Sequence, residues 1–316
     1  MEVLNSRLFQ QIGIVGFCLG LQACTTMDDG RPQITKEIKD VSYEARGEDE
    51  APRKRLMILP FVDSKEGRTE ALSQEAREAF VDELNRTKAL IVVDSKDMKI
   101  DLTKAMQGGE YKFSELIKDA QNLGVSALLE AKVIDLKVKK KSDEVGVFRQ
   151  LKTIFECRAR IRIASARSGK ELFNTVKTVT VEEKNVRVAE TVDSDRFFIS
   201  NPEILKNLMT ETFLDFTPQI IATMDKLSWE GRVAAIQGER IFLNVGRISG
   251  LNLGDVLKVS EEGDEVYDPQ TGNYIGKAPG RLKGTLEVIS YFGQDGSIAV
   301  IHSGSGFREN DRIELY

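Results

Sequence analysis

Histidine is almost missing from this 316-residue chain, which has one, His302. A zinc motif of the H-E-x-x-H type is therefore impossible, and zinc sites built from histidine and cysteine clusters lack ligands. A Ser-His-Asp or Cys-His arrangement could draw only on His302. That residue ends the short alternating run Ile298 to His302, which predicts a half-exposed position on a strand. No G-x-S-x-G elbow occurs either. Basic excess is also absent: the formal net charge is -5 and the pI near 5.4, which argues against nucleic acid as a partner. Asp255, Asp264 and Asp268 do not make an EF-hand series, so no metal is assigned. Gly169-Lys170 lacks the flanking Gly and Ser or Thr of a Walker A loop, with Ala164 and Glu171 at those places. With no catalytic constellation and no cofactor motif, a non-enzymatic protein is expected.

The N-terminus offers what the rest withholds. Arg7 precedes an apolar run from Ile12 to Leu21, too short for a stable bilayer span and laid out like a secretory signal. It closes on Leu21-Gln22-Ala23-Cys24, which looks like a lipobox, the motif cut by signal peptidase II before its cysteine receives diacylglycerol and an N-acyl chain. The reading is then a signal peptide over 1–23 and an acylated Cys24 held in lipid, several chains anchoring far more firmly than one. Thr25 stands where aspartate would retain a lipoprotein in the inner membrane, so the outer membrane, periplasmic face, is expected. The alternative is a hydrophobic N-terminal helix of a cytoplasmic protein, a reading that Glu2, Gln10 and Gln11 favour. Of the three cysteines, Cys18 leaves with the signal and Cys24 is acylated, so Cys157 stands alone without a disulfide. Residues 24–54 are rich in charge and poor in large apolar side chains, which predicts a flexible tether of roughly 30 Å r.m.s. reach.

The stretch 55–230 alternates strand and helix patterns. Arg55–Phe61 reads as a buried strand. Leu72, Ala76, Phe80 and Leu84 fall on one face of a helix over Thr69–Arg86. Ala89–Val93 reads as a second buried strand. A helix capped by Ser114 places Leu116, Ile117, Ala120 and Leu123 inward and ends at Gly124, and Val125–Val138 is the third strand. This order predicts a mixed α/β sheet flanked by helices. From Phe155 to Ile163 the alternation is clean, with Phe155, Cys157, Ala159, Ile161 and Ile163 on one face and Glu156, Arg158, Arg160 and Arg162 on the other. Cys157 is thereby a core residue, and the arginine row is expected to be solvated or, less simply, to meet an acidic partner. Leu172–Val181 is the return strand. Glu182–Ser200 reads as a charged connection, and a long apolar helix from Asn201 to Leu227 should kink or split at Pro218.

More than half of the 25 glycines lie beyond residue 230. Short strands at Val233–Ile236, Arg240–Val245, Asp255–Val259, Leu282–Ile289 and Ser297–His302, with turns at Gln237-Gly238 and Asp295-Gly296, predict a small all-β barrel over 231–316. The fold class expected for the whole chain is therefore α+β.

Two segments resemble known families. Through Leu59-Pro60-Phe61, the strand-turn-strand of Ile161–Leu172, and Asn201–Trp229, the first resembles the CsgG family of outer-membrane lipoproteins. More distantly it is similar to the TolB N-terminal domain and to lipoproteins that activate penicillin-binding proteins. Through Ile241-Phe242-Leu243-Asn244-Val245-Gly246, Gly250-Leu251-Asn252-Leu253-Gly254-Asp255, Asp268-Pro269-Gln270-Thr271-Gly272 and Ile275-Gly276, the second resembles the C-terminal, SH3-type domain of FlgT, a flagellar assembly protein. The resemblance implies a scaffold or assembly factor for a surface or flagellar complex, with envelope or flagellar proteins as partners. Its alternatives are a subunit of an oligomeric secretion channel or an activator of a cell-wall synthase. Lys137–Gln150 and Glu182–Arg196, where membrane hairpins would extend, are dense in charge and are expected to be solvated loops.

Overall fold

The computed structural model describes residues 52–65, 70–143, 150–183, 193–270, 272 and 274–316. Leu21, Gln22, Ala23, Cys24 and the expected tether up to residue 51 lie outside them. All of the described residues belong to one compact unit, Ser42–Tyr316. Among them, no helix is long and apolar enough to cross a membrane.

The first part is a mixed sheet. Strand β1 (Lys54–Ile58) lies between β3 (Leu90–Asp94) and β6 (Ala127–Asp143), all parallel, and the short β2 (Val62–Asp63) runs parallel to β6 beyond the end of β1. Strands β7 (Gln150–Ser165) and β8 (Glu171–Glu183) continue the sheet antiparallel, in the order β3-β1-β6-β7-β8. Helices α1 (Glu70–Arg86), α3 (Ser194–Ser200), α4 (Pro202–Leu214) and α5 (Thr217–Asp225) supply one packed face. Helix α2 (Phe113–Asn122) and the hairpin β4 (Met106–Gln107) to β5 (Glu110–Tyr111) cover part of the other. The second part is a closed antiparallel barrel of β9 (Gly231–Gln237), β10 (Arg240–Leu243), β11 (Val256–Ser260), β14 (Leu282–Phe292), β15 (Gly296–Gly304) and β16 (Arg312–Leu315). A small hairpin, β12 (Glu265–Tyr267) with β13 (Tyr274–Lys277), is separate from the barrel sheet.

Period two decides the sheet's first face. Phe155, Cys157, Ala159, Ile161 and Ile163 are fully buried against Phe80, Leu205, Phe213 and Phe216, as their alternation predicts. Cys157 is packing, not a nucleophile. Ala76, Phe80 and Leu84 line the buried face of α1, with Leu72 half-buried beside them. The Asn201–Leu227 helix does split: α4 ends at Leu214, and Pro218 sits in the first turn of α5, where its missing N–H costs nothing. His302 is an exposed residue of β15.

Several local expectations are corrected. Lys112, not Ser114, occupies the cap of α2, and its side chain makes no capping bond. Strand β3 is an edge strand, so only Leu90 of it is buried. The described parts of the expected loops 137–150 and 182–196 are regular: β6 and β7 pair as far as Asp143 and Gln150, and β8 runs to Glu183, while 144–149 and 184–192 lie outside the described residues. Within the expected connection, Asp193 caps α3 by accepting from the Asp195 and Arg196 amides. That helix packs Phe197 and Phe198 onto Phe155 at ring distances of 5.5 and 6.0 Å. Strand β16, which closes the barrel between β11 and β9, carries Ile313 into the barrel core.

Candidate functional site

The second face of the sheet holds a dense cluster of charge. Arg158, Arg160 and Arg162 do not form the uniform solvated row expected from the sequence, because Glu130 of β6 stands opposite Arg162. Glu130 is fully buried, and Arg162 grips it with two parallel bonds, Nε to Oε1 and a terminal nitrogen to Oε2, both 2.9 Å. Its Oε2 also accepts from the Tyr111 amide at 2.6 Å, and Arg160 approaches Oε1 at 3.2 Å. Glu110 binds the outer side of the same arginines, 2.6 Å from Arg160 and 3.4 Å from Arg162, with Lys132 at 3.7 Å. The Arg162 guanidinium also lies over the Phe113 ring at 4.8 Å. A carboxylate this buried is tolerable only because each oxygen meets donors. Burial, with the Glu130 charge nearby, pushes the Tyr111 phenol up to about 12, so it stays neutral at physiological pH. The cluster ties the β4–β5 hairpin to the sheet. Arg158, one step further out, is exposed and borders a polar groove of about 360 Å³ with Asp135, Lys137, Glu156 and Thr178.

In sheets of parallel strands, ligands gather in the crevice beyond the carboxyl ends of the strands. Here the gap between β1 and β6 is filled by the chain itself: Leu59 donates to the Leu129 carbonyl, and β2 then lies on β6. Beside β3 a cleft of about 390 Å³ remains, within the size range of small-ligand sites. Pro60, Phe61, Val81 and Leu102 give it apolar walls. Arg77 from α1 also lines it, donating to the Ile58 carbonyl at 2.8 Å and pairing with Asp94 at 3.5 Å. Asp94 in turn caps the turn Ser95–Asp97. The arrangement suits binding. His302 lies far along the chain on the barrel wall, its Nδ1 3.0 Å from the Thr285 hydroxyl, and it does not line the cleft.

The two parts are joined by a polar knot centred on Asp295. One carboxylate oxygen accepts from the Gly246 and Ser249 amides, each at 3.0 Å; the other accepts from the Ser249 hydroxyl and, at 2.9 Å, from Arg55 of β1. Arg55 also donates to the Asn244 carbonyl at 2.6 Å. Arg53 and Trp229 both donate to the Ser249 carbonyl. Gly124, the last residue of the α2 turn, has φ +69°, and a Cβ there would stand 2.4 Å from the Asn244 amide nitrogen. The positive φ favours glycine there, and a side chain would also press on Asn244.

Cys24 and the lipobox residues Leu21, Gln22 and Ala23 are outside the described residues. The residues of the cleft and of the knot come from segments distant in sequence and carry no local motif. Among the described residues, no group of three or more His, Cys, Asp or Glu side chains is placed to hold a metal ion.

No protein-family model matches the chain, and no curated protein matches it. Among solved structures it is similar to a hypothetical protein of Chlamydia trachomatis, at 14% identity over 55% of this chain and 96% of that one, with a TM-score of 0.36. It is also similar to a lipoprotein of Neisseria meningitidis, at 12% identity over 49% and 97%, with a TM-score of 0.29. A third is the LpoB C-terminal domain of Salmonella enterica, at 12% identity over 40% and 83%, with a TM-score of 0.25.

Proposed function

We propose that this chain is a non-enzymatic envelope lipoprotein, anchored through acylated Cys24 to the periplasmic face of the outer membrane, where it scaffolds the assembly of a surface or flagellar complex. The observation that carries the reading is the Leu21-Gln22-Ala23-Cys24 quartet at the end of an apolar run and ahead of a charged, core-poor segment. The resemblances to the CsgG family and to the FlgT C-terminal domain support a surface or flagellar complex as the one served. The body beyond the tether fits a scaffold: Arg55 and Asp295, each largely buried, lock the barrel onto β1. The channel reading is disfavoured by the hairpin stems. Their apolar face is covered by α3, and on the other face Lys137 pairs with Asp135 and Lys139 with Glu156. A membrane strand would need its apolar face free for lipid, and here α3 occupies it.

The test is a Cys24→Ser variant of the full chain in cells fed a radiolabelled fatty acid. The expected outcome is loss of label and of membrane sedimentation, with the soluble protein still folded. A variant that remained with the membranes would overturn the anchor, and deletion of the protein with no effect on motility or surface assembly would overturn the scaffold role.

A further inference from the structure

Strand β8 is the free edge of the sheet: among the described residues it pairs with β7 and with no other strand. It is 13 residues long, which is about 40 Å of unpaired backbone donors and acceptors. Edges of this length are ordinarily blunted by proline, by a mid-strand bulge, by lysine or by a covering element. This one has no proline, and its single register shift lies at the very start, opposite Ile163 and Ala164. Its only lysine, Lys177, is drawn away from the edge. The Nζ bonds the Asp215 carboxylate at 2.7 Å and the Asp215 carbonyl at 2.8 Å, and lies over the Phe216 ring.

Both faces of the edge carry unfinished apolar cover. On the helix side Phe173 and Val181 touch the core but are only partly buried. On the open side Leu172 and Val176 are 38% and 41% exposed. One added strand would lie beside all four side chains. A fully overlapped antiparallel pairing with β8 of a second copy would bring the acidic ends of the strand together, and like charges directly opposite are destabilising. Glu171 at one end and Glu182 at the other each have one loose in-chain cation, Arg162 at 3.7 Å and Lys152 at 3.4 Å, and stay 40% and 45% exposed, which instead favours a segment with basic termini.

We propose that β8 is a docking edge for an extended segment of a partner protein, added as a further strand, with β-branched or apolar residues at its centre and a basic residue at each end. Backbone hydrogen bonds supply affinity, and the side chains flanking Leu172, Phe173, Val176 and Val181 supply selectivity. This inference does not depend on the lipid anchor or on the scaffold reading.

The experiment uses the full chain in detergent micelles and a synthetic peptide of alternating valine and threonine with a lysine at each end. In the free protein, about half of the β8 amides should exchange hydrogen rapidly while those of β7 are protected, because alternate residues of an edge strand point outward. Peptide should bring the β8 amides to the β7 level. N-methylation of alternate peptide amides should abolish binding, and a Thr178→Lys, Thr180→Lys variant should weaken it tenfold or more with an unchanged melting midpoint. The proposal fails if the β8 amides are already protected in the free protein, which would mean that the chain itself or a second copy covers the edge. It fails equally if the N-methylated peptide binds as well as the parent.

Discussion

The two faces of the β6–β7–β8 ribbon are made by alternate residues of the same strands, yet they are stabilised by opposite means. On one face Phe155, Cys157, Ala159, Ile161 and Ile163 lie fully buried under helices. On the other, Arg160 and Arg162 are held by Glu130 and Glu110 beneath a short hairpin. The first face is non-directional, and its strength scales with apolar area removed from water. The second is directional and depends on every charge finding its partner, since an orphaned buried charge costs several kcal/mol. One face should therefore be sensitive to volume and the other to stoichiometry of charge.

The largest effect is expected on the apolar face. Phe155 is fully buried and stacks on Phe197, so Phe155→Ala should cost about 3–5 kcal/mol in urea unfolding. A cost below ~1 kcal/mol would mean that α3 is not docked in solution. On the charged face the expected signature is non-additivity. Arg162→Met alone leaves Glu130 short of two donors and should cost about 3 kcal/mol, whereas Glu130→Leu with Arg162→Met should cost clearly less than the sum of the two single changes. Additive costs would show that the fork from Arg162 to Glu130 is not formed.

The same contrast explains what was legible in the sequence. Phe155–Ile163 announced its buried face because the pattern is local and unbroken, and Pro218 marked the helix break for the same reason. The charged face was misjudged because the partner of Arg162 lies 32 residues away, and only the register of β6 against β7 sets Glu130 opposite it. Helix α3 was missed because Asp193, Asp195 and Arg196 mask Phe197 and Phe198 in composition, although Asp193 is a good capping residue. The barrel strands were legible from their turns, but β16 was not, since four residues between Asp311 and the terminus show no repeat. Of the cleft beside β3 nothing was legible. Phe61, Arg77 and Asp94 come from three segments, and only the parallel pairing of β1 with β3 brings them to one edge.

A second glutamate sharpens the comparison. Glu130 has donors on both oxygens, whereas Glu230 lies in the seam between the parts, with Arg167, Arg232 and Arg312 around it, yet its Oε2 is buried without a hydrogen-bond partner. Burial pushes the Glu230 carboxyl above its ordinary value of 4.5, against the pull of Arg232, Arg312 and Arg167. A raised acid binds its proton more tightly in the folded state. Its contribution is thus fully present below 4.5 and is lost as pH rises through the folded-state value. Glu230→Gln removes that loss. The variant should match the parent in melting midpoint at about pH 4 and exceed it at about pH 8, by roughly 2 °C. If the parent were instead the more stable at the higher pH, the three arginines would outweigh burial. Glu230 would then be a paired acid like Glu130, and the seam would share the chemistry of the charged face.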